Sequence, residues 1–266
     1  MTKSSAAVIW QHRSLLRALA VRDIQNRYAG SVAGMLWALL HPLVMLAIYA
    51  VVFAYVFRVQ VPHASSQQPY VLFVATALWP WLAFQEALVR GTTAVQAHAA
   101  LVKKVAFPHE LLVYSSVVAS FVVHSIGLAV VLLTLRLLGY GISFWSWPIV
   151  IMGMTMLLLL ATTFALLLGA LQVFVKDVEQ LLSQFMSVLF YATPILFPMS
   201  LVPTWLANVM QFNPLVHIIE FMRGAVLFTG GINWPQIASM WLLSVLAFYM
   251  ARRFFLRLSP YFEDMV

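Results

Sequence analysis

The chain has 266 residues, 63% of them hydrophobic and only 9% charged, with a formal net charge of +7. Soluble domains carry about a quarter charged residues, so a water-soluble globule is excluded and a bilayer is the expected solvent. The basic residues fall between apolar runs, which fits the cytoplasmic surface of a membrane better than nucleic acid, and the lack of cysteine excludes a disulfide framework and thiolate chemistry.

The lead MTKSSAAVIWQHRSLLRALAVR has neither the compact apolar core nor the small-residue cleavage site of a signal peptide, and it is expected to be retained. Over residues 8–20, Val8, Leu15, Leu16 and Leu19 share one helical side, with Arg13 and Arg17 opposite. This predicts a helix lying on the membrane surface. The stripe fails beyond Val21, where Ile24 falls on the basic side, so a bend is expected there. Arg22, Asp23 and Arg27 then precede the small-residue turn Ala29-Gly30-Ser31 and a long apolar run.

Six apolar segments follow, at about 36–57, 70–90, 113–137, 148–172, 180–197 and 234–256; roughly 20 residues are needed to span. The second is expected to be kinked or started late by Trp79-Pro80-Trp81, and the fifth ends at Thr193-Pro194. Between the last two lie Leu201–Phe212 and Leu215–Phe228, both too short to cross, split by Asn213-Pro214 and closed by Gly230-Gly231. Asn suits a helix cap and Pro a first helical position. The pattern predicts a re-entrant hairpin at 201–229, a backbone form tolerated in membranes only when buried in protein or lining a watery cavity. The fold class is therefore all-α and integral to the membrane. It forms one transmembrane unit over residues 1–266, with a cytoplasmic or interfacial lead at 1–30.

Six crossings that start inside place twelve of the fifteen Lys and Arg residues inside, leaving only Arg58, Arg136 and Arg223 outside. That asymmetry predicts both termini in the cytoplasm. No phosphate-binding G-x-x-x-x-G-K-[ST] loop occurs, nor HExxH, an EF-hand loop or G-x-S-x-G. No catalytic or metal-binding residue is assigned. Glu86 is the one acid clearly within a span, and Arg90 one turn on is its expected partner. A proton-driven pump usually needs intramembrane carboxylates, so energy is expected from a partner protein docking inside. Two loops are candidates to receive it. One is Gly91–Leu112, where a short helix at 97–105 carries Lys103 and Lys104 and ends before Pro108. The other is the 173–179 link with Lys176 and Asp177.

Four ordered segments carry a resemblance across nearly the whole chain. RDIQNRYAGSVAGMLWALLHPLVMLAIYAVVF resembles the start of polysaccharide-exporting ABC transporter permeases, the membrane subunits for O-antigen, capsule and teichoic acid. ALVKKVAFPHELL is similar to that family's coupling segment, FVKDVEQLLSQFMSVLFYATPILFPM to its Arg-Asp link and following span, and NPLVHIIEFMRGAVLFTG to its re-entrant segment. Lys176 stands where Arg is common in the family and Val113 where a second Pro is common. The resemblance implies a homodimer with two copies of a separate ATPase that holds ATP and Mg, no cofactor in this chain, and export of a lipid-linked polysaccharide across the inner membrane. It places the ATPase contact at Lys103, Lys104, Phe107 and Glu110, with Lys176 and Asp177 on the second link. The basic lead, Arg13, Arg17, Arg22 and Arg27, would lie where the lipid-linked end enters. The outer gate would be the hairpin with Asn213, Pro214, Glu220 and Arg223.

A sugar polymer needs a wide path, because each hydroxyl left dry costs free energy. Such a path fits between two subunits better than inside six helices. Sugar rings have apolar faces that aromatic side chains can carry. Met45, Tyr49 and Phe53 fall on one face of the first span, Trp37 at its cytoplasmic end, and Phe190 and Tyr191 near the outer end of the fifth. These six are the candidate conduit residues. Two alternatives stand beside this reading: an ABC exporter of a small drug or glycolipid, and a membrane glycosyl or acyl transferase using His124 or Glu86. The transferase needs polar groups meeting at one depth, and no convergence of His41, Glu86 and His124 is expected from the sequence.

Overall fold

Two short helices lead in, α1 (Ser5–Gln11) and α2 (Arg13–Arg27). The computed structural model describes residues 5–27, 29–31, 33–59, 70–227 and 232–266, and among these there is no strand. The expected bend after Val21 does not occur. α2 runs on to Arg27, whose guanidinium pairs with Asp23 one turn back and with Glu86 of a later helix, so its last turn is tied down. Gly30 and Gly34 then take positive φ values of 77° and 51°, and turn the chain into the first long helix.

That helix is α3 (Leu36–Tyr49), extended by a π-helical stretch at Ala50–Val56. α4 (Tyr70–Ala97) follows. A short α5 (Ala99–Lys104) leads to α6 (Glu110–Leu137), and α7 is Ser146–Gln172. α8 (Asp177–Tyr191) comes next, then α9 (Thr204–Met210), α10 (Pro214–Leu227), α11 (Trp234–Leu258) and α12 (Phe262–Met265). Among the described residues, five helices, α3, α4, α6, α7 and α11 with their extensions, are long and apolar enough to cross a membrane. The fifth predicted span is α8, whose 15 residues reach about 22 Å. It stops ahead of Thr193-Pro194, because proline cannot continue the backbone ladder. Both halves of the predicted hairpin are helices, α9 and α10, while Phe228 and Gly230-Gly231 lie outside the described residues.

α4 is the central element. In its most apolar window 78% of the residues are buried, against 17% in α3 and in α11. It begins at Tyr70 and passes through Pro80 as one helix, rather than starting late at the Trp-Pro-Trp triplet. Within lipid, helices gain little by leaving one apolar medium for another, so close backbone packing decides which pairs form. α4 and α7 meet this way: a Cβ on Gly91 would lie 2.7 Å from the Ala165 Cβ, and one on Gly169 only 3.2 Å from the Gly91 carbonyl. α6 closes on α4 where Gly127 leaves room for the buried indole of Trp79.

The ends of the bundle differ. At one, α4 finishes, α6 begins, α12 packs on α5, and α2 lies along the first half of α6. At the other, the Ser146 hydroxyl at the start of α7 donates to the Ala225 carbonyl at 2.7 Å, and Phe221 meets Trp234 edge-on at 6.4 Å.

Candidate functional site

Three groupings of side chains draw the sequence candidates together. The first is aromatic. Tyr49 lies 6.5 Å from Phe53 and 6.2 Å from Phe190, ring centre to ring centre, and Phe190 lies 5.2 Å from Tyr191. Four of the six conduit candidates, from α3 and α8, therefore form one cluster. Sequence reasoning missed its continuation. Phe53 stacks on Tyr70 at 6.0 Å, Tyr70 on Phe73 at 6.0 Å, and Trp81 meets Phe190 at 5.6 Å. The missed signal was the aromatic content of α4 itself, which reads as core packing. Tyr191 is 70% exposed and Tyr49 half-buried, so the string has an open edge. Met45 is half-buried one turn before Tyr49, and Trp37 lies apart from the string, 51% exposed, in the second grouping.

The second grouping is polar. A groove of about 700 Å³ between α3, α4 and α8 is lined by Trp37, His41, Gln85, Glu86, Arg90 and His124. Contrary to the sequence expectation, Glu86 and His124 meet, with Nε2 to Oε2 at 2.7 Å. Glu86 also accepts from Arg27 at 2.5 Å and, as expected, from Arg90 at 2.9 Å. Arg27, which the resemblance places at the lipid entry, faces the bundle instead. Its side chain is only 2% exposed, held by Glu86, by Asp23 at 2.6 Å and by the Ser120 hydroxyl at 3.0 Å. A guanidinium with several donors satisfies such a fork of acceptors where an ammonium would not. Arg13, Arg17 and Arg22 remain exposed along α2, Arg13 with its guanidinium 4.6 Å from the Trp10 ring centre.

The third grouping is at the α5–α6 corner. Lys103 and Lys104 are exposed at the end of α5, as are Lys176 and Asp177 on the second link. Glu110 is different. It is 1% exposed and accepts two hydrogen bonds from Arg252 of α11, at 2.7 and 2.9 Å, so its carboxylate faces inward. A basic residue inside the last apolar run demands such a partner, and Arg252 was the available signal. Phe107 packs edge-on against His109 at 5.4 Å. Burial pushes the His109 imidazole below the ordinary histidine range, opposed by the Glu263 carboxylate and by a hydrogen bond the ring donates to the Ser259 backbone. Gln172 ties the second link to α4: its carboxamide donates to Gln96 at 3.1 Å and to the Lys176 carbonyl at 3.2 Å, and accepts from the Glu179 N–H at 2.8 Å.

At the far end, Asn213 accepts from the Leu215 N–H at 3.0 Å, capping α10, and donates to Thr193 at 3.0 Å. Pro214 is the first residue of α10. Arg223 is 2% exposed, donates to the Pro194 and Ile195 carbonyls at 2.8 and 3.3 Å, pairs with Glu220, and lies 3.6 Å over the Phe73 ring. Both carbonyls lie in the turn after α8, outside that helix's own hydrogen-bond ladder.

This all-helical arrangement, with a basic lead and membrane-length helices among the described residues, coincides with a family match. The model of the ABC-2 type transporter family matches residues 14–228. The chain belongs to the ABC-2 type transporter family. It is 31% identical to the O-antigen export system permease protein RfbA of Myxococcus xanthus, over 79% of each chain. A second RfbA, from Klebsiella pneumoniae, is 27% identical over 95% of each chain. The polysialic acid transport protein KpsM of Escherichia coli is 22% identical over 89% of this chain and 93% of its own. This ABC-2 chain is thus a multi-pass membrane protein of a transporter family, and its most distinctive joints, at Arg27, Glu110 and Asn213, all fall within the matched region.

Proposed function

We propose that this chain is the membrane subunit of an ATP-driven exporter that carries a lipid-linked polysaccharide across the bacterial inner membrane, as a homodimer above two copies of a separate ATPase. The observation that carries it is the aromatic string from Phe73 through Tyr70, Phe53, Tyr49 and Phe190 to Tyr191. It runs from α4 across the end of α3 and its π-helical extension to α8, and α3 is scarcely covered by its own chain. A helix left bare by its own subunit suits a two-fold axis, where a second copy supplies the opposite wall. Stacking on ring faces tolerates sequence variety in the passing sugar and needs no fixed hydrogen-bond set. The relatives' names, O-antigen export and polysialic acid transport, agree on a polymer.

Six crossings with both termini cytoplasmic fit the contacts. α2 and α12 both lie toward the end where α4 finishes and α6 begins, which supports one side for both. α8, extended by residues 192–198, then serves as the fifth crossing. The hairpin reading is supported by depth. Pro214 shares a groove with Phe84 and Leu160, midway along α4 and α7, whereas Ala225 sits against the first residue of α7. α10 thus runs from mid-bundle depth back to the end where α7 begins, as the outgoing arm of a re-entrant hairpin would. Arg223 braces this hairpin from within instead of lining a gate. The exposed Lys103 and Lys104 are the natural ATPase contacts, and Glu110 sets the angle of the corner that bears them.

The test is export in cells that depend on this chain. Tyr49→Ala removes the ring linking Phe53 to Phe190. It should reduce surface polysaccharide several-fold, by loss of roughly 0.5–1.5 kcal/mol per ring contact, while dimer and ATPase still co-purify. Normal export by Tyr49→Ala would take the string out of the path.

A further inference from the structure

The two cytoplasmic links, 98–109 and 173–176, are separate in sequence, and each carries exposed cations. One ring touches both. Phe262 of α12 is fully buried, stacked on His109 of the first link with ring centres 6.1 Å apart. It also meets Phe174 of the second link edge-on at 6.1 Å, and Phe255 of α11 at 5.2 Å. His109 is fixed from its other side, through Nδ1 to the Ser259 hydroxyl at 3.1 Å and through the edge of Phe107. Arg252, one turn before Phe255, holds Glu110 next to His109 in a two-pronged ion pair. The α11–α12 corner thus forms a bracket with a foot on each link. Just before the links, the ends of α4 and α7 are joined by the Gln96–Gln172 pair.

We propose that Phe262 is a positioning residue for transport: its ring makes the two links one rigid body, so that a push received at Lys103 and Lys104 reaches α7 and α8 as well as α4 and α6. The physical reason is that packed side chains transmit displacement where a solvated turn absorbs it. Lys103 and Lys104 lie on a six-residue helix with an open turn at residues 105–108 on its far side. Without a ring bridging His109 to Phe174, a push on that helix would be spent in bending the turn. α8 carries Phe190 and Tyr191, so the bracket gives the conduit a direct mechanical line to the partner's contact.

This rests on the proposed ATPase-driven export. If that reading is wrong, no ATPase will co-purify with the unaltered chain, a result distinct from any below. The measurement is export per ATP hydrolysed by the whole complex in proteoliposomes, together with the amount of ATPase bound. Phe262→Ala should keep the ATPase bound and hydrolysing ATP while export per ATP falls roughly tenfold, the scale of coupling carried by a packed network; Phe262→Leu, which refills most of the space, should recover most of it. An unchanged ratio in Phe262→Ala would overturn the proposal, as would a loss of bound ATPase that accounts for the whole fall in export. If Phe262→Ala does not fold, the cysteine-free chain offers a second route. His109→Cys with Ser259→Cys removes the stacked ring, and oxidation then joins the bracket to the link covalently. Export per ATP should rise on oxidation of this double variant. No change or a fall on oxidation would mean the bracket must stay loose or open during transport, and the proposal would be wrong.

Discussion

Glu86→Gln is the most informative single change. The carboxylate accepts from Arg27, Arg90 and His124, and these contacts differ in worth. Arg90 is 41% exposed, so its pair with Glu86 should contribute about 0.3–0.5 kcal/mol, as solvated one-turn ion pairs do. Arg27 is 2% exposed, and its hydrogen bond to a charged acceptor belongs in the range of about 1.5–3 kcal/mol. Glutamine keeps one acceptor oxygen but turns an N–H₂ toward a donor. Asp23 still neutralises Arg27 in part, so the loss should stay below the 3–5 kcal/mol typical of stranding a buried charge. A destabilisation of about 2–3 kcal/mol follows. Arg90→Gln should cost no more than about 0.5 kcal/mol. The assay is reversible unfolding of the purified chain in a lipid-like environment, completed as a double-mutant cycle with Arg27→Gln. The cycle should return a coupling above about 1 kcal/mol for residues 27 and 86. If Glu86→Gln and Arg90→Gln prove equal, the Arg27 joint does not hold α2 to the bundle and the argument fails.

Three further changes follow from the same geometry. Lys103→Glu with Lys104→Glu should greatly reduce the ATPase recovered with the purified chain, while the chain's own melting temperature stays unchanged because both side chains are exposed; unaltered co-purification would move the contact elsewhere. Gly127→Ala would place a Cβ 2.5 Å from Nε1 of the buried Trp79 indole, so it should cost about 1–3 kcal/mol by overpacking, read in the same unfolding assay. Burial lowers the His109 pKa, so its neutral form favours the folded state. That contribution is full above the ordinary value of 6.5 and is lost as pH falls through the lowered folded value. The melting temperature should therefore drop more steeply below pH 6.5 in the unaltered chain than in His109→Gln, and parallel curves would refute the assignment.

The long helices were legible because hydropathy marks them directly, and their ends shifted by only a turn or two. α8 shows where that signal fails. Residues 192–197 are as apolar as a helix would be, yet Pro194 ends the ladder, and apolarity alone does not separate a helix from a buried turn. Of the site, the aromatic cluster was partly legible, since Tyr49 and Phe53 share a face by spacing and Phe190 and Tyr191 end the neighbouring apolar segment. Its α4 half was not, because Tyr70, Phe73 and Trp81 look the same whether they pack inward or border a path. The Glu86 joint was legible only to its local partner. Spacing reveals Arg90 at one turn, but Arg27 lies 59 residues away and His124 lies 38 away, and only the bundle's packing brings them together.

The charged residues of the four distinctive segments divide by burial into two kinds, and the division has a mechanical reading. Arg27 ties α2 to α4 and α6, Glu110 ties the α5–α6 corner to α11 across 142 residues, and Arg223 ties α10 to the turn after α8. In a low-dielectric interior such pairs resist separation far more than exposed ones, because parting them strands a desolvated charge. The cations that remain exposed, on α2, at the end of α5 and on the second link, are the ones free to meet lipid headgroups or a partner. A chain that must shift whole helices to pass a polymer needs stiff joints at the points where force changes direction, and soft contact surfaces at the points where force or substrate arrives. Reversing one joint therefore tests the division more sharply than deleting it. Exchanging the partners as Glu110→Arg with Arg252→Glu would keep a buried pair at the same place, and export should survive in the double variant while each single change abolishes it. Failure of the exchange, with the chain still folded, would mean that Glu110 acts on the partner as a charge and that the corner is a contact surface after all.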